Sequence, residues 1–277
     1  MDRKIKLSVQ KTYSGIAKGA SGGCCGSSKP KFAHEENIGY DVKELMSLPE
    51  GAILGVGCGN PVALASLKEG EVVLDLGSGA GIDVFLAAGR VGPSGRVIGV
   101  DMTPEMLARA RKNAGEGKFT NVEFRQGEVE NLPVADSSVD CVISNCVINL
   151  SVDKDRTFSE AFRVLKGGGR LMVSDIVLTK DLPRAVVENV EAYTGCVSGA
   201  VKHDDYIAAV RRAGFDDITV LSLDDASFLA ETTCGCGIVT KDNVSDLGLR
   251  SIKLLAKKGV PDGSGRPEYC GGDCCGD

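Results

Sequence analysis

From Val72 onward the chain repeats one unit: a short apolar strand, a turn of small residues, then an amphipathic helix. VVLDL runs into GSGAG and IDVFLAAGRV. RVIGVD runs into TPEMLARARKNA, with Thr103 as N-cap and Pro104 at the first helical position. NVEFRQG, VDCVISN and GRLMVSDIV read as strands three to five, and DRTFSEAFRVL as the helix between the last two. Strands alternating with helices lie parallel, because each return to the sheet needs a crossover, so the expected class is a doubly wound α/β sheet. Beyond Val177 the rhythm loosens. KHDDYIAAVRRAGF is helical in spacing and ITVLSL extended, while LRSIKLLAKK fits helix and strand equally.

The ends differ from this middle. Residues 1–40 show little apolar periodicity and include GASGGCCGSSKP, so they are expected to form a mobile, cysteine-containing segment. Residues 261–277, which include CGGDCC, are expected to be a disordered tail. Between them, residues 41–178 carry the repeating unit and residues 179–260 are expected to complete the sheet. The net charge is −6 and no Lys/Arg cluster is visible, which argues against nucleic acid. The N-terminus lacks a signal peptide's apolar core and no apolar run would span a membrane, so the expectation is a cytoplasmic protein. In that compartment the eleven cysteines are ligands or reactive thiols, not a disulfide framework.

A glycine-rich turn between a buried strand and a helix lets a ligand approach the backbone closely. Here the spacing is G-x-G-x-G rather than the dinucleotide pattern, and Asp101 ends the second strand where a carboxylate can accept ribose hydroxyls. DLGSGAG resembles motif I of class I S-adenosylmethionine methyltransferases. That resemblance implies a Rossmann-like, seven-stranded sheet with a C-terminal extension, LRSIKLLAKK being the antiparallel seventh strand. It implies that Asp75, Gly77, Ser78 and Gly79 border the methionine part of the cofactor, Asp101 and Met102 the ribose and adenine, and Glu128 with Val129 the adenine edge. That family usually carries Asp where Glu128 stands.

No obvious general base accompanies this turn. His34 and His203 lie in polar stretches and read as surface residues. The thiols remain. Cys58 sits in GVGCGNP, Cys146 follows the fourth strand, and Cys196 lies in the segment after the fifth. The carboxyl ends of the strands form the ligand cleft of such a sheet, which places Cys146 at its mouth, and a later loop could bring in Cys196. Three converging thiolates would make a soft, three-coordinate site. Alternatively Cys146 is a small core residue, as Cys141 inside the fourth strand is expected to be.

GCGNP, DLGSGAGIDVFLAA, VIGVDMTPEMLARAR, SNCVINL and GCVSGA together resemble the arsenite S-adenosylmethionine methyltransferases, over residues 40–214. This resemblance implies that Cys58, Cys146 and Cys196 hold trivalent arsenic, and that Cys24 or Cys25 is the family's N-terminal catalytic cysteine. It further implies arsenite or its glutathione conjugate as substrate and a thiol reductant, glutathione or thioredoxin, as partner. Cys234, Cys236, Cys270, Cys274 and Cys275 lie outside the matched part. The competing expectations are a methyltransferase for a small organic acceptor with structural cysteines, and a thiol-rich metal-binding protein.

Overall fold

The computed structural model describes residues 2–19, 32–229, 240, 243–244 and 246–260. Its strands are β1 (Val72–Leu76), β2 (Arg96–Asp101), β3 (Val122–Gln126), β4 (Val139–Asn145), β5 (Leu165–Leu178), β6 (Asp217–Asp225) and β7 (Leu249–Lys257). They form one sheet in the order β3-β2-β1-β4-β5-β7-β6. Strands β1 to β5 pair in parallel, and β7 runs antiparallel between β5 and β6. LRSIKLLAKK is therefore the antiparallel strand that the methyltransferase resemblance implies.

The helices are α1 (Asp2–Ala17), α2 (Ala33–Asn37), α3 (Val42–Met46), α4 (Pro61–Leu64), α5 (Ile82–Val91), α6 (Pro104–Glu116), α7 (Lys154–Val164), α8 (Arg184–Val187), α9 (Val190–Thr194) and α10 (His203–Arg212). None among the described residues is long and apolar enough to cross a membrane. Side-chain alternation splits the core across the sheet. Leu74, Leu76 and Val142 face a cluster with Phe158 of α7 and Tyr206 of α10. Val73, Cys141 and Ile143 face the opposite cluster, with Phe85 of α5 and Leu107 of α6. Cys141, 0% exposed, is a packing residue in the middle of β4.

Strand order reverses between β1 and β4: the chain leaves β1 toward β2 on one side and returns as β4 on the other. The crevice at the carboxyl ends of these two strands is the natural ligand site of such a sheet. Both the glycine turn after Leu76 and the Asn145-Cys146 pair open onto it.

Two local features depart from the sequence reading. Thr103 occupies the N-cap position of α6 but makes no capping bond; its backbone N–H donates to Asp101 instead, at 2.7 Å. Asp2–Ala17, within the segment read as mobile, is a helix. It crosses the cleft and packs on α6 and α9. Polar ties fix it there: Gln10 Nε2 donates to the Met102 carbonyl (3.1 Å), Arg109 Nη1 to the Ala17 carbonyl (3.0 Å), and Lys18 pairs with Glu105 (2.9 Å). Ile5, Val9, Tyr13 and Ile16 recur at helical spacing, a signal hidden by the charged residues between them. Cys24, Cys25, Cys234, Cys236 and the tail cysteines lie outside the described residues.

Candidate active site

The cleft has a carboxylate side and a thiol side. On the first, Gly77 adopts φ 65° and Gly79 φ 52°. This left-handed backbone favours glycine, and a Cβ on Gly77 would also collide with the Val147 methyls. The Ser78 side chain turns inward; a Cβ on Gly99 would lie 2.7 Å from its Oγ, so β2 carries glycine there. Asp101 pins the turn: its Oδ2 accepts from Gly79 N–H at 2.9 Å and its Oδ1 from Thr103 N–H at 2.7 Å. The Thr103 side chain also donates to Asp101, which leaves a lone pair for a further donor.

Asp75 and Asp83 line the same cavity. Burial, then the Asp83 and Asp101 charges, push Asp75 well above the ordinary carboxylate range. Burial also raises Asp83 to about 6, opposed by hydrogen bonds from Asn145 and Tyr40. Two buried carboxylates and the half-buried Asp101 around one cavity favour a cationic guest.

On the thiol side, three separated segments converge. Cys58 lies on the loop leading into α4, whose first turn is capped by the Asn60 side chain accepting from Ala63 N–H at 3.0 Å. Asn145, the last residue of β4, holds this loop: its Oδ1 accepts from Cys58 N–H at 2.9 Å and its Nδ2 donates to the Gly59 carbonyl at 2.8 Å. Cys58 Sγ reaches the Ser174 carbonyl at 3.3 Å. Cys146 follows directly, its N–H bound to that same carbonyl at 2.8 Å. Cys196, just after α9, points its Sγ at the Cys146 carbonyl, 3.1 Å away.

Cys146 and Cys196 both have left-handed backbones, φ 58° and φ 62°. Each costs roughly 1–2 kcal/mol in an L-residue, and such strain persists where the surroundings dictate it, commonly at functional sites. Here it aims two thiols at one point.

All three thiols are buried, at 2%, 7% and 5% exposure for Cys58, Cys146 and Cys196. Burial pushes Cys58 up to about 12, although a hydrogen bond from Cys146 opposes this. Cys196 donates to Cys146, which with burial and the neighbouring charges of Cys146 and Asp175 holds Cys196 well above the usual thiol range. For Cys146, the bond received from Cys196 works downward. Its own bond to Cys58, burial, and the Cys58 and Asp175 charges outweigh it. The cluster therefore rests un-ionised at neutral pH. Neither His34 nor His203 lines the cleft.

A methyltransferase-domain family model matches residues 67–214, more than half of the chain. Arsenite methyltransferase of Halobacterium salinarum is 49% identical over 213 residues, 77% of this chain and 54% of that protein. Arsenite methyltransferase of Aquipseudomonas alcaligenes is 40% identical over 224 residues, 76% and 62% of the two chains. The crystal structure of an arsenic(III) S-adenosylmethionine methyltransferase from Chlamydomonas reinhardtii superposes with a TM-score of 0.62 at 34% identity, covering 85% of this chain and 75% of that one.

The chain belongs to the arsenite methyltransferase family.

It spans a little over half the length of the curated relatives it matches. The cofactor of this family is S-adenosylmethionine, and the residues present fit it: a left-handed glycine turn, a carboxylate with a free lone pair, and an acidic cavity suited to a sulfonium. Asp75, Gly77, Ser78, Gly79, Asp101, Met102 and Val129 all line the cleft, as do Cys146 and Cys196. Glu128 does not. Its side chain is 54% exposed in a neighbouring groove, where Lys6 pairs with it at 2.6 Å, and Glu130 is the acid of that turn that lines the cavity. Cys58 is not part of the cavity wall and stands behind Cys146, to which it is bonded.

Sequence reasoning missed seven contributors. Lys6, Val9 and Tyr13 of α1 line the cleft, and the Tyr13 phenol bonds the Cys196 thiol. Asp83 and Asn145 tie the cofactor side to the Cys58 loop, Asn145 Nδ2 lying 3.1 Å from Asp83 Oδ2. Tyr40 completes that network, its hydroxyl 2.8 Å from Asp83 Oδ1. Asp175 lies beneath the thiols at 0% exposure. An acidic residue inside the apolar run LMVSDIV was its available signal.

Proposed function

We propose that this protein transfers methyl groups from S-adenosylmethionine to trivalent arsenic held by Cys58, Cys146 and Cys196. The observation that carries the reading is the convergence of three buried thiols beside a carboxylate-lined cleft that no histidine lines. Un-ionised thiols suit arsenite, because each sulfur that replaces a hydroxyl on arsenic gives its proton to that hydroxyl, which leaves as water. No base is required. Arsenic held by three sulfurs keeps its lone pair as the nucleophile.

The cofactor supplies an electrophilic sulfonium methyl. Asp101 and the Gly77–Gly79 turn hold it, and the acidic cavity wall accommodates its positive charge. Val9, Tyr13, Val147 and Leu150 exclude water between the two sides. Fixing both partners in this way can lower the barrier by roughly 7–11 kcal/mol. Transfer oxidises arsenic by two electrons, so a reductant must restore the trivalent state. Glutathione, thioredoxin or a protein thiol pair, Cys24 or Cys25 with Cys58, would do so in a reducing compartment such as the cytoplasm.

The test is to incubate purified protein with arsenite, a thiol reductant and S-adenosylmethionine and to separate the arsenic species by chromatography. Methylated arsenicals are expected. Cofactor binding without methylated arsenic would overturn the assignment in favour of another acceptor.

A further inference from the structure

We propose that Asp175 turns the thiol cluster into a four-ligand seat for a divalent d10 cation, zinc or cadmium, which occupies it in competition with arsenic. The proposal builds on the reading that this cluster admits a thiophilic guest. Cys58 Sγ, Cys146 Sγ and a carboxylate oxygen of Asp175 all lie within 4.8 Å of one another, and all three residues are buried. Cys196 stands outside that group but within hydrogen-bond reach of Cys146. Two sulfurs on one tetrahedral zinc sit about 3.8 Å apart at a zinc–sulfur distance of ~2.3 Å. The cluster needs only a small contraction to close around such an ion.

Asp175 has no evident duty in holding arsenic. Its oxygens accept from Ile176 N–H (2.9 Å), the Tyr206 hydroxyl (3.0 Å) and the Asn149 backbone N–H, bonds that an amide could also make in part. A carboxylate offers about four acceptor sites, so ligand capacity remains. Its neighbours Val173, Ile176 and Val177 are each 0% exposed, a setting in which an acid is costly even with the Lys154 charge nearby.

Charge and coordination number separate the two guests. Trivalent arsenic is neutral with three sulfurs and carries a lone pair in its fourth direction, leaving a carboxylate nothing to bind. A divalent d10 ion is neutral with two thiolates and seeks four ligands. Asp175 supplies the third ligand and one negative charge, which the neighbouring Lys154 offsets. Cys196 supplies the fourth as a thiolate, since a thiol bound to such an ion gives up its proton. Binding releases the Cys58, Cys146 and Cys196 protons to solvent and so strengthens as pH rises. The ion has no lone pair to attack a methyl group, so the loaded protein is a dead end for methylation.

The test uses the full chain, kept reduced with a phosphine, loaded with cadmium-113 alone and observed by cadmium NMR. The chain has eleven cysteines, so the resonance from this site is identified by its loss in Cys146→Ser. A shift typical of mixed sulfur and oxygen ligands is expected, with the signal displaced by phenylarsine oxide. Asp175→Asn should weaken cadmium binding at least about tenfold, as metal-site substitutions do, while phenylarsine oxide affinity changes far less. An all-sulfur shift in the wild-type resonance would overturn the proposal even if the variant failed to fold. So would equal losses for both guests, or an unchanged cadmium affinity. Phenylarsine oxide binding without any Cys146-dependent cadmium signal rejects this inference alone, whereas no arsenical binding at the three thiols rejects the proposed function as well.

Discussion

On the β1–β2 side of the cleft, Asp75 and Asp101 face the cavity from the ends of strands and Asp83 from the first turn of α5. On the β4–β5 side, three sulfurs meet on strained or irregular backbone and stay protonated. In the proposed function, the first side recognises the cofactor by charge and hydrogen bonds, and the second holds arsenic by exchange of covalent ligands, for which buried thiols need no charge. Substitutions on the two sides should therefore fail in different ways.

The largest effects are expected on the thiol side. Inorganic trivalent arsenic has three places for sulfur, whereas methylated arsenic has two. Cys146 and Cys196 line the cavity and Cys58 stands behind them. Cys146→Ser and Cys196→Ser should abolish methylation of both arsenite and trivalent methylarsenic. Cys58→Ser should lose only the first. Assays of the purified variants with each substrate decide this. A Cys58→Ser protein dead on both, or a Cys146→Ser protein active on either, breaks the three-sulfur site.

On the cofactor side, Asp101→Ala should weaken S-adenosylmethionine binding by about 2–4 kcal/mol, the worth of two hydrogen bonds to a charged group. Arsenical binding to the thiols should be retained. Calorimetric titration with each ligand separates the outcomes, and an unchanged cofactor affinity would mean the cleft is misassigned.

These two sides were not equally legible in the sequence. The glycine turn occupies one contiguous stretch, so spacing and strand position single out the turn and Asp101 as a candidate ligand site. The thiol side joins residues 58, 146 and 196, and no local pattern reports a contact that the sheet's crossovers create. Residue-level reading placed Cys146 at the cleft mouth from strand order alone, but grouping it with Cys58 and Cys196 as arsenic ligands needed the family resemblance. Glu128 shows the limit of such transfer: the turn is where expected, yet Lys6 draws this side chain out of the cavity. Lys6 lies on a helix whose apolar face is only four residues deep, too thin to stand out beside GASGGCCGSSKP.

A smaller effect is expected from pH. Asp83 titrates near 6 in the folded protein against an ordinary value of 3.8. Its contribution to stability is fully present below about 3.8 and is lost as pH rises through 6, because ionisation is disfavoured in the fold. A cationic cofactor reverses that preference. Its affinity should fall as pH drops below 6, by up to about tenfold per unit if Asp83 alone governs it. Thermal unfolding with and without S-adenosylmethionine measures this. The stabilisation by cofactor should widen from pH 5 to 7, and a gap that narrows instead would remove Asp83 from the cofactor's surroundings.

The smallest effect is expected at the helix that bridges the two sides. Lys6 of α1 pairs with Glu128 at 2.6 Å and Glu130 at 3.1 Å, with 24% of its side chain exposed. Exposed ion pairs contribute about 0.2–1 kcal/mol, and Gln10, Lys18 and Arg109 hold α1 independently. Lys6→Met should therefore lower cofactor affinity less than about fivefold. The deficit should shrink as salt rises, because screening already weakens the wild-type pair. Affinity measured at low and high ionic strength tests both points. A salt-independent loss larger than about tenfold exceeds what this ion pair can supply. Lys6 would then touch the cofactor itself, and α1 would belong to the binding site rather than to its cover.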